Sequence, residues 1–314
     1  MSLEAALQRA LSIRLNLQIT LSNLPIVEEW MDIHLDRWLE HVPTPPEMPS
    51  GHAVSYLAML GADLKRMWWG AWGDPAGLVP KLADYLKLCN IAKSDAAILD
   101  QMGEKLEPRL VGSWVGVWGG RVSTGWHFLD PQPWTKLEPL FGTHEAKFLL
   151  KNWLHDAGVD RVERFTQAIG EGSFSEIEVR MPGATVDEQV GALVTGFAHF
   201  GGGDLPAPLV AILRGAPHPT FGLSVRIRGG QVVRVAAIAP GMPLDVIQSV
   251  CTEMKLGAVD AKLERLINTL ASEGVSKVEI GRAGERGGVD VYVEPTQAAA
   301  KPAPGAAKPA DAVN

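Results

Sequence analysis

Residues 221–240, FGLSVRIRGGQVVRVAAIAP, restrict the fold more than any other part of the chain. They predict two strands joined at Gly229 and Gly230, because paired glycines adopt the positive φ that tight hairpin turns require. Successive side chains of a strand point to opposite faces. The first strand therefore has an apolar face, formed by Leu223, Val225 and Ile227, and a polar face, formed by Ser224, Arg226 and Arg228. Such a hairpin is either half-buried with solvated arginines or the wall of a polar cavity.

The same arrangement occurs at residues 110–128, LVGSWVGVWGGRVSTGWHF, with Gly119-Gly120 at the turn. Trp114, Gly116 and Trp118 then correspond to Ser224, Arg226 and Arg228. Further hairpins are predicted at residues 53–72, 174–200 and 275–294, so strand pairs recur every ~45 to 65 residues, a spacing typical of repeated units. Helical patterns are predicted at residues 75–105, 135–169 and 244–272, whereas residues 200–220 are rich in Gly and Pro.

Strand pairs separated by helices predict an α+β fold, a ten-stranded antiparallel β-barrel built from five ββ units with helices outside. Closure removes exposed strand edges and places the mixed face of each strand in a central lumen. The predicted divisions are N-terminal helices packing on the barrel at residues 1–49, the barrel at 50–296, and a disordered tail rich in Ala, Pro and Lys at 297–314. The alternative is that the strand pairs do not close and form two α+β domains.

The composition limits the classes of function. A chain of 314 residues with 46% hydrophobic content can bury a sizeable core. A net charge of −7 without a basic stripe argues against nucleic acid or an anionic membrane surface as the main partner. Two cysteines, no signal-peptide pattern and no apolar run of membrane-spanning length predict a cytoplasmic protein without membrane insertion. We expect a monomer.

The predicted lumen has two chemically different walls. Arg226, Arg228 and Arg234 lie on one wall, and Trp68, Trp72, Trp114 and Trp118 lie on the other. Guanidinium groups suit phosphate oxygens, and indole faces attract a cation and shield it from water. Strict alternation across a two-residue turn would place Arg234 on the face opposite Arg228, so a bulge or longer loop is predicted at Gly229-Gly230. That bulge keeps Val233, Val235 and Ala237 on the helix-covered side.

In the order and spacing of these elements, residues 50–295 resemble the ABBA-type aromatic prenyltransferases, and most of all the bacterial cyanobactin-type enzymes that prenylate ribosomal peptides. Local similarities are LGADLKRMWW, SEIEV at residues 175–179, and FGLSVRIRGG. The resemblance implies a role in natural product biosynthesis or peptide modification. It implies that a prenyl diphosphate binds in the lumen through basic residues and ionises. An aromatic small molecule or a peptide side chain then attacks the allyl cation, which aromatic rings cover.

The residues expected to bind the prenyl diphosphate are Arg66, Arg226, Arg228, Arg234 and Lys277. The resemblance places Arg66 in this set, and strand alternation places the hairpin arginines there. The residues expected to shield the cation or to line the prenyl or acceptor pocket are Trp68, Trp72, Trp114, Trp118, Trp126 and Tyr292. Glu47 and His127 are weak candidates for a catalytic role, which is otherwise unassigned. No side-chain spacing predicts a metal site, and the presence of Mg²⁺ with the diphosphate is left open.

The chain also departs from the family pattern. It has only three tyrosines, and residues 122–129 lack the Lys and Arg that the resemblance leads us to expect. These departures leave a second hypothesis open, in which a catalytically altered or inactive barrel binds a hydrophobic ligand or peptide in a Trp-rich lumen.

Overall fold

The structure, a computed structural model, describes residues 55–64, 66–73, 75–76, 106–118, 121–128, 130–141, 144–169, 173–256, 259–270, 274–283 and 286–294. The helices predicted at 1–49, most of the helical stretch predicted at 75–105, and the tail predicted at 297–314 lie outside the described residues. The fold is therefore established for the part of the chain that the sequence predicts to form strand pairs.

The strands are β1 (Ser55–Gly61), β2 (Arg66–Gly73), β3 (Val111–Trp118), β4 (Arg121–Phe128), β5 (Gln132–Pro133), β6 (Arg161–Val162), β7 (Arg164–Ile169), β8 (Ser175–Arg180), β9 (Gly222–Arg228), β10 (Gln231–Pro240), β11 (Lys277–Ala283) and β12 (Arg286–Val293). The helices are α1 (Trp134–Leu137), α2 (Glu145–Asp156), α3 (Val186–His199), α4 (Ala207–Arg214), α5 (Leu244–Glu253) and α6 (Ala261–Leu270), with a 3₁₀ turn at Glu138–Phe141. The short strands β5 and β6 pair with each other in a separate sheet.

The ten other strands form one antiparallel sheet in the order β1-β12-β11-β10-β9-β8-β7-β4-β3-β2. Strand β1 is hydrogen-bonded to β12 on one side and to β2 on the other, so the sheet closes on itself. The predicted α+β class and the curled antiparallel sheet are therefore confirmed. The described strands do not form the two separate α+β domains of the alternative.

The outward strand faces are apolar and lie under the helices. Leu223 and Val225 of β9 are fully buried, as are Phe197 of α3 and Ile247 of α5, and all four belong to one hydrophobic cluster. Removing such side chains from water stabilises the fold by about 1.5–3 kcal/mol each. Within the described residues, no helix is both long enough and apolar enough to cross a membrane.

The third strand pair is β7 with β8, and the hairpin predicted within residues 174–200 is wrong. Residues 186–199 form α3, which begins with a capping box. Thr185 Oγ1 accepts from the N–H of Glu188 at 3.3 Å, and Glu188 Oε2 accepts from the N–H of Thr185 at 3.0 Å. This Thr-x-x-Glu signal precedes apolar residues at helical spacing. Strand β7 occupies the end of the stretch predicted to be helical at 135–169, and α4 lies in the segment rich in Gly and Pro.

The bulge predicted at Gly229-Gly230 lies three residues further on. Arg228 pairs with Gln231, so the turn has two residues, and the register shifts between Val232 and Arg234. Arg234 therefore lies opposite Arg226 and shares its face, as predicted. Val233 is 36% exposed and does not lie under the helices. The two glycines supply the tight turn, and the extra residue in β10 supplies the change of face.

We expect Gly230→Ala to lower the free energy of unfolding more than Gly229→Ala. Both glycines have positive φ, 56° for Gly229 and 79° for Gly230, and the left-handed region costs a residue with a Cβ about 1–2 kcal/mol. A Cβ on Gly230 would also lie 2.5 Å from Cγ of His144, whereas one on Gly229 meets no atom within 4 Å. Chemical denaturation of both variants measures the difference, and equal losses would contradict close packing of the turn against His144.

Candidate functional site

Contacts that cross the barrel identify the side chains of the lumen. Lys277 of β11 lies 3.1 Å from Glu178 of β8, although β9 and β10 separate these strands in the sheet. Likewise, the rings of Trp68 in β2 and Tyr292 in β12 have centroids 5.8 Å apart across β1. Lys277, Glu178 and Tyr292 alternate along their strands with residues of the outer apolar core, and Trp68 contacts Tyr292 on the same side. They therefore point into the lumen.

Two groups of side chains occupy this lumen. The charged sector consists of Arg66, Arg164, Glu176, Glu178, Arg226, Arg234, Lys277, Glu279 and Asp290. The aromatic sector consists of Trp68, Trp114, His127, Phe174 and Tyr292.

Arg234 of β10 connects three carboxylates in the charged sector. Its guanidinium donates a short hydrogen bond to Glu279 and lies 3.0 Å from Oδ2 of Asp290 and 3.9 Å from Oε2 of Glu176. Burial by itself lowers the pKa of Arg234, but the carboxylates outweigh it and raise the pKa above its usual value. Arg234 therefore stays charged in a site where its side chain is only 8% exposed.

Glu279 and Asp290 face the same guanidinium, yet their pKa values shift in opposite directions. Burial raises the pKa of both carboxyls. At Glu279 the positive charges of Arg234 and Lys277 outweigh burial, and they hold the pKa of this carboxyl far below its usual range. For Asp290, burial outweighs the attraction of Arg66, 2.9 Å away, and of Arg234, so the pKa is raised. Asp290 is thus the more easily protonated of the two.

Arg226 of β9 joins the charged sector to the aromatic sector. Its Nη2 lies 2.7 Å from Oε2 of Glu176, and its Nε donates to the same oxygen at 2.8 Å. The guanidinium carbon also lies 3.9 Å from the centre of the Phe174 ring. A guanidinium over an aromatic face gains a cation–π attraction, which is stronger away from water.

A second junction of the two sectors lies at Tyr292. Nζ of Lys277 is 4.3 Å from the centre of the Tyr292 ring, and the Tyr292 hydroxyl donates a short hydrogen bond to Glu279. Burial, and then the negative charge of Glu279, raises the pKa of Tyr292 well above its usual value. Burial, and then Arg164, lowers the pKa of Lys277. Lys277 and Arg164 share the carboxylate of Glu178, at 3.1 Å and 2.8 Å.

Two indoles surround His127 in the aromatic sector. The His127 ring centre lies 5.4 Å from that of Trp68 and 6.1 Å from that of Trp114, and the two indoles are 6.3 Å apart. Nδ1 of His127 forms a 2.7 Å hydrogen bond with the Thr166 hydroxyl. Burial lowers the pKa of His127 well below 6.5, and Arg164 and Lys277 lower it further. The imidazole is therefore neutral at pH near 7.

Most of the predicted site residues with described side chains meet in this lumen. They are Arg66, Arg226, Arg234, Lys277, Trp68, Trp114, Tyr292 and His127. For Trp72 and Trp118 the structure describes only the backbone, which lies on β2 and β3. Glu47 lies outside the described residues.

Two predicted residues lie elsewhere. Trp126 points outward, because it alternates with His127 on β4, and it is fully buried with Phe128 and Trp134 in the helix-covered core. Its prediction as a pocket residue is wrong. Arg228 is exposed at the end of β9, where it lines a pocket of about 230 Å³ at the hairpin turn together with His144.

Four carboxylates and one arginine of the lumen are absent from the predicted site: Arg164, Glu176, Glu178, Glu279 and Asp290. A signal for them exists in the printed sequence. Glu176 and Glu178 alternate with Ile177 and Val179 in SEIEVR, just as the arginines of β9 alternate with apolar residues. The same period of two that placed arginines inside a closed sheet places these acids beside them.

The described part of the chain is therefore an antiparallel barrel with helices outside and a charged and aromatic lumen. AnaPT from Neosartorya fischeri has a similar fold, with a TM-score of 0.64 at 10% identity over 92% of each chain. PriB, in a binary complex with product diphosphate, gives a TM-score of 0.59 at 13% identity over 91% of this chain and 95% of PriB. The 5-dimethylallyltryptophan synthase from Streptomyces coelicolor gives 0.55 at 11% identity over 91% of this chain and 96% of that one.

These solved structures share the fold at low sequence identity. No family model matches the sequence. A PH domain-containing protein of Dictyostelium discoideum is 22% identical over 265 residues, which cover 82% of this chain and 57% of that protein. The chain thus spans little more than half the length of this curated relative.

We expect Asp290→Ala to lower the free energy of unfolding by about 3–5 kcal/mol, because removing one partner of a buried ion pair leaves the other charge uncompensated. The matched control is Asp187→Ala, which removes a pair with Arg214 whose side chains are 80% and 54% exposed. Exposed pairs contribute at most about 1 kcal/mol. Urea denaturation measures both losses, and a loss for Asp290→Ala as small as that of the control would contradict a structural role for the charged sector.

The neutral state of His127 predicts a loss of stability in mild acid. Its folded pKa is lowered, so its contribution is complete above the unfolded value near 6.5 and is lost as the pH falls toward the folded pKa. Between about pH 6.5 and the folded pKa, the free energy of unfolding should fall by about 1 kcal/mol per pH unit from this group. His127→Gln should remove that component, and the exposed His155→Gln should keep it. Urea titrations at about pH 7 and about pH 5.5 test this, and equal pH dependence in both variants would contradict it.

Proposed function

We propose that this chain is an ABBA-type prenyltransferase, which moves an isoprenoid group from a prenyl diphosphate to an aromatic small molecule or a peptide side chain. The observation that supports the proposal is the meeting of guanidinium groups and aromatic faces in one lumen. Arg226 contacts the face of Phe174, whose ring is stacked on Trp114 with centroids 6.5 Å apart. Guanidinium forks bind phosphate oxygens, and aromatic faces stabilise cations.

In this reaction the C–O bond of the donor breaks, and its electron pair leaves with the diphosphate. Arg66, Arg226, Arg234 and Lys277 are the groups proposed to stabilise the charge on that leaving group. An aromatic carbon of the acceptor then donates an electron pair to the allyl cation, a new C–C bond forms, and the acceptor loses one proton. Trp68 and Trp114 are 6% and 1% exposed, so they can exclude water that would otherwise trap the cation.

The donor must compete with carboxylates that already contact these cations. Arg66 and Arg234 share Asp290, and Arg226 is held by Glu176. Because a charged carboxylate and a phosphate repel each other, donor binding is expected to turn the arginines away from at least one acid. Asp290 is the candidate to give way, since protonation removes its charge.

The fold likeness also supports this proposal. Prenyltransferase PriB, in a ternary complex with L-tryptophan and dimethylallyl thiolodiphosphate, gives a TM-score of 0.57 at 13% identity over 91% of this chain. By analogy of fold, an aromatic acceptor and a prenyl diphosphate are proposed here. We further propose that the enzyme is of the cyanobactin type and modifies peptides in natural product biosynthesis. We also propose that it works as a monomer in the cytoplasm.

Mg²⁺ is not assigned a protein site in this proposal. In the part of the chain that the structure describes, no three His, Cys, Asp or Glu side chains are arranged to hold a metal ion. The lumen carboxylates Glu279 and Asp290 face arginines, so they do not fit a dedicated Mg²⁺ site. An ion that accompanies the donor would be held by the phosphates themselves.

The direct test incubates the purified protein with dimethylallyl or geranyl diphosphate and a panel of indoles, phenols and peptides, with and without added Mg²⁺. Release of diphosphate together with an acceptor heavier by the prenyl group supports the proposal. Folded protein that yields neither adduct nor diphosphate across the panel would reject it.

Arg66→Ala should weaken the binding of inorganic pyrophosphate and of the prenyl diphosphate by about tenfold to a hundredfold, because each charge-assisted hydrogen bond contributes about 1.5–3 kcal/mol. Arg214→Ala, which removes an exposed arginine on α4, is the control of equal charge change and should leave binding unchanged. Isothermal titration calorimetry measures both. Equal affinities of the two variants would show that Arg66 does not bind the donor.

One observation favours a second function. The four carboxylates neutralise most of the positive charge of the charged sector, which suits a barrel that binds an uncharged hydrophobic ligand or a peptide without chemistry. A ligand recovered unaltered from the purified protein, with an affinity that Arg226→Ala leaves intact, would favour this function over transfer.

A further inference from the structure

We propose that His127 accepts the proton that the aromatic acceptor loses after the new C–C bond has formed. This inference rests on the proposed transfer reaction and adds to it the residue that completes the reaction. Its basis is a polar atom in the aromatic sector that has no hydrogen-bond partner among the described residues.

That atom is Nε2 of His127. The side chain is 5% exposed, and among the described residues Nε2 has no hydrogen-bond partner. A buried polar atom without a partner costs about 1–3 kcal/mol, so native structures rarely retain one without a function or a ligand. Nε2 belongs to a ring that two indoles approach, at 5.4 Å for Trp68 and 6.1 Å for Trp114. A planar acceptor in this sector would therefore lie within reach of a lone pair.

Thr166 holds one nitrogen of the ring and leaves the other for the acceptor. Its hydroxyl forms the 2.7 Å hydrogen bond with Nδ1. When the hydroxyl accepts from Nδ1–H, the neutral imidazole carries its lone pair on Nε2. The same hydrogen bond fixes the plane of the ring between the indoles. Thr166 thus acts as a positioning residue for His127.

The proton balance of the step is simple. The allyl cation and the aromatic carbon form a C–C bond, which leaves a positive charge on the acceptor ring. The C–H bond at that carbon breaks, its electron pair restores the aromatic system, and the proton passes to Nε2. His127 becomes an imidazolium, which Arg164 and Lys277 disfavour. That repulsion promotes passage of the proton to the departing diphosphate, which has gained the electron pair of the broken C–O bond.

The other titratable groups of the lumen suit this task less well. Glu176, Glu178, Glu279 and Asp290 each lie within 4 Å of an arginine or lysine. The Tyr292 hydroxyl is protonated and donates a hydrogen bond to Glu279, so it cannot act as a base. An uncharged imidazole also adds no further negative charge that would repel the diphosphate of the donor.

The test compares wild-type protein, His127→Gln, Thr166→Val and the exposed control His155→Gln, each with dimethylallyl diphosphate and an indole acceptor found to react with the wild type. His127→Gln should lower the rate of adduct formation by about a hundredfold, the lower range for loss of a general base. Diphosphate release should persist, with the prenyl group recovered as its alcohol. Thr166→Val should give a smaller loss, and His155→Gln none.

An isotope measurement separates proton transfer from packing. With deuterium at the reacting carbon of the acceptor, His127→Gln should show a primary kinetic isotope effect that wild-type protein lacks, because loss of the proton becomes slow. The wild-type adduct rate should also fall in acid with the pKa of one group, and the variant should lose that dependence. Circular dichroism verifies folding, and if His127→Gln does not fold, the isotope effect and pH profile of Thr166→Val decide.

The outcomes are distinguishable. Wild-type protein that turns over, with His127→Gln within about twofold of it and without an isotope effect, rejects the role of His127 and leaves prenyl transfer standing. Wild-type protein that releases no diphosphate with any acceptor rejects transfer itself, and the role of His127 with it.

Discussion

Buried contacts between guanidinium groups and carboxylates are the interaction on which this barrel depends. Taking such charges out of water costs several kcal/mol per ion, and only close, well-oriented partners offset the cost. Arg234 meets this condition by contacting acids from β8, β11 and β12, so one side chain links strands that are not all neighbours. A strand that slipped by one residue would turn its charges toward the apolar layer under the helices. The ion pairs in the lumen therefore help to fix the register of the sheet.

The functional proposal follows from the position of this network beside the aromatic sector. A leaving diphosphate needs positive charge, and an allyl cation needs polarisable aromatic faces that exclude water. The lumen supplies both within one continuous set of contacts, through Arg226 on Phe174 and Lys277 on Tyr292. The acids restrain the cations while no donor is bound. They make donor binding an exchange of ion pairs, and the lumen is then sensitive to the protonation of Asp290.

The alternation of residues in β9 predicts the strands, the inward arginines and the antiparallel sheet from sequence alone. It works because period two is a property of the strand itself. The position of the bulge could not be predicted, since nothing in QVVRVAAIAP distinguishes Val233 from its neighbours. The prediction for Trp126 is wrong because its hydrophobic ring fits either a core or a pocket, and the pairing of β4 decides between them. The alternation in SEIEVR can place the acids of β8 inside, but the pairing of an acid with a particular arginine, such as Glu176 with Arg226, is decided only when the sheet closes.

The bulge in β10 also has a consequence for how such a lumen can change over evolution. One unpaired residue, Val233, determines which of the alternating side chains in the rest of β10 point into the lumen. Deleting a single codon there would exchange the two faces of everything downstream in that strand, whereas substitutions alter one lining position at a time. Such a deletion would also turn Arg234 toward the apolar layer under the helices, so a new interior chemistry reached in this way requires compensating changes on both faces of the strand.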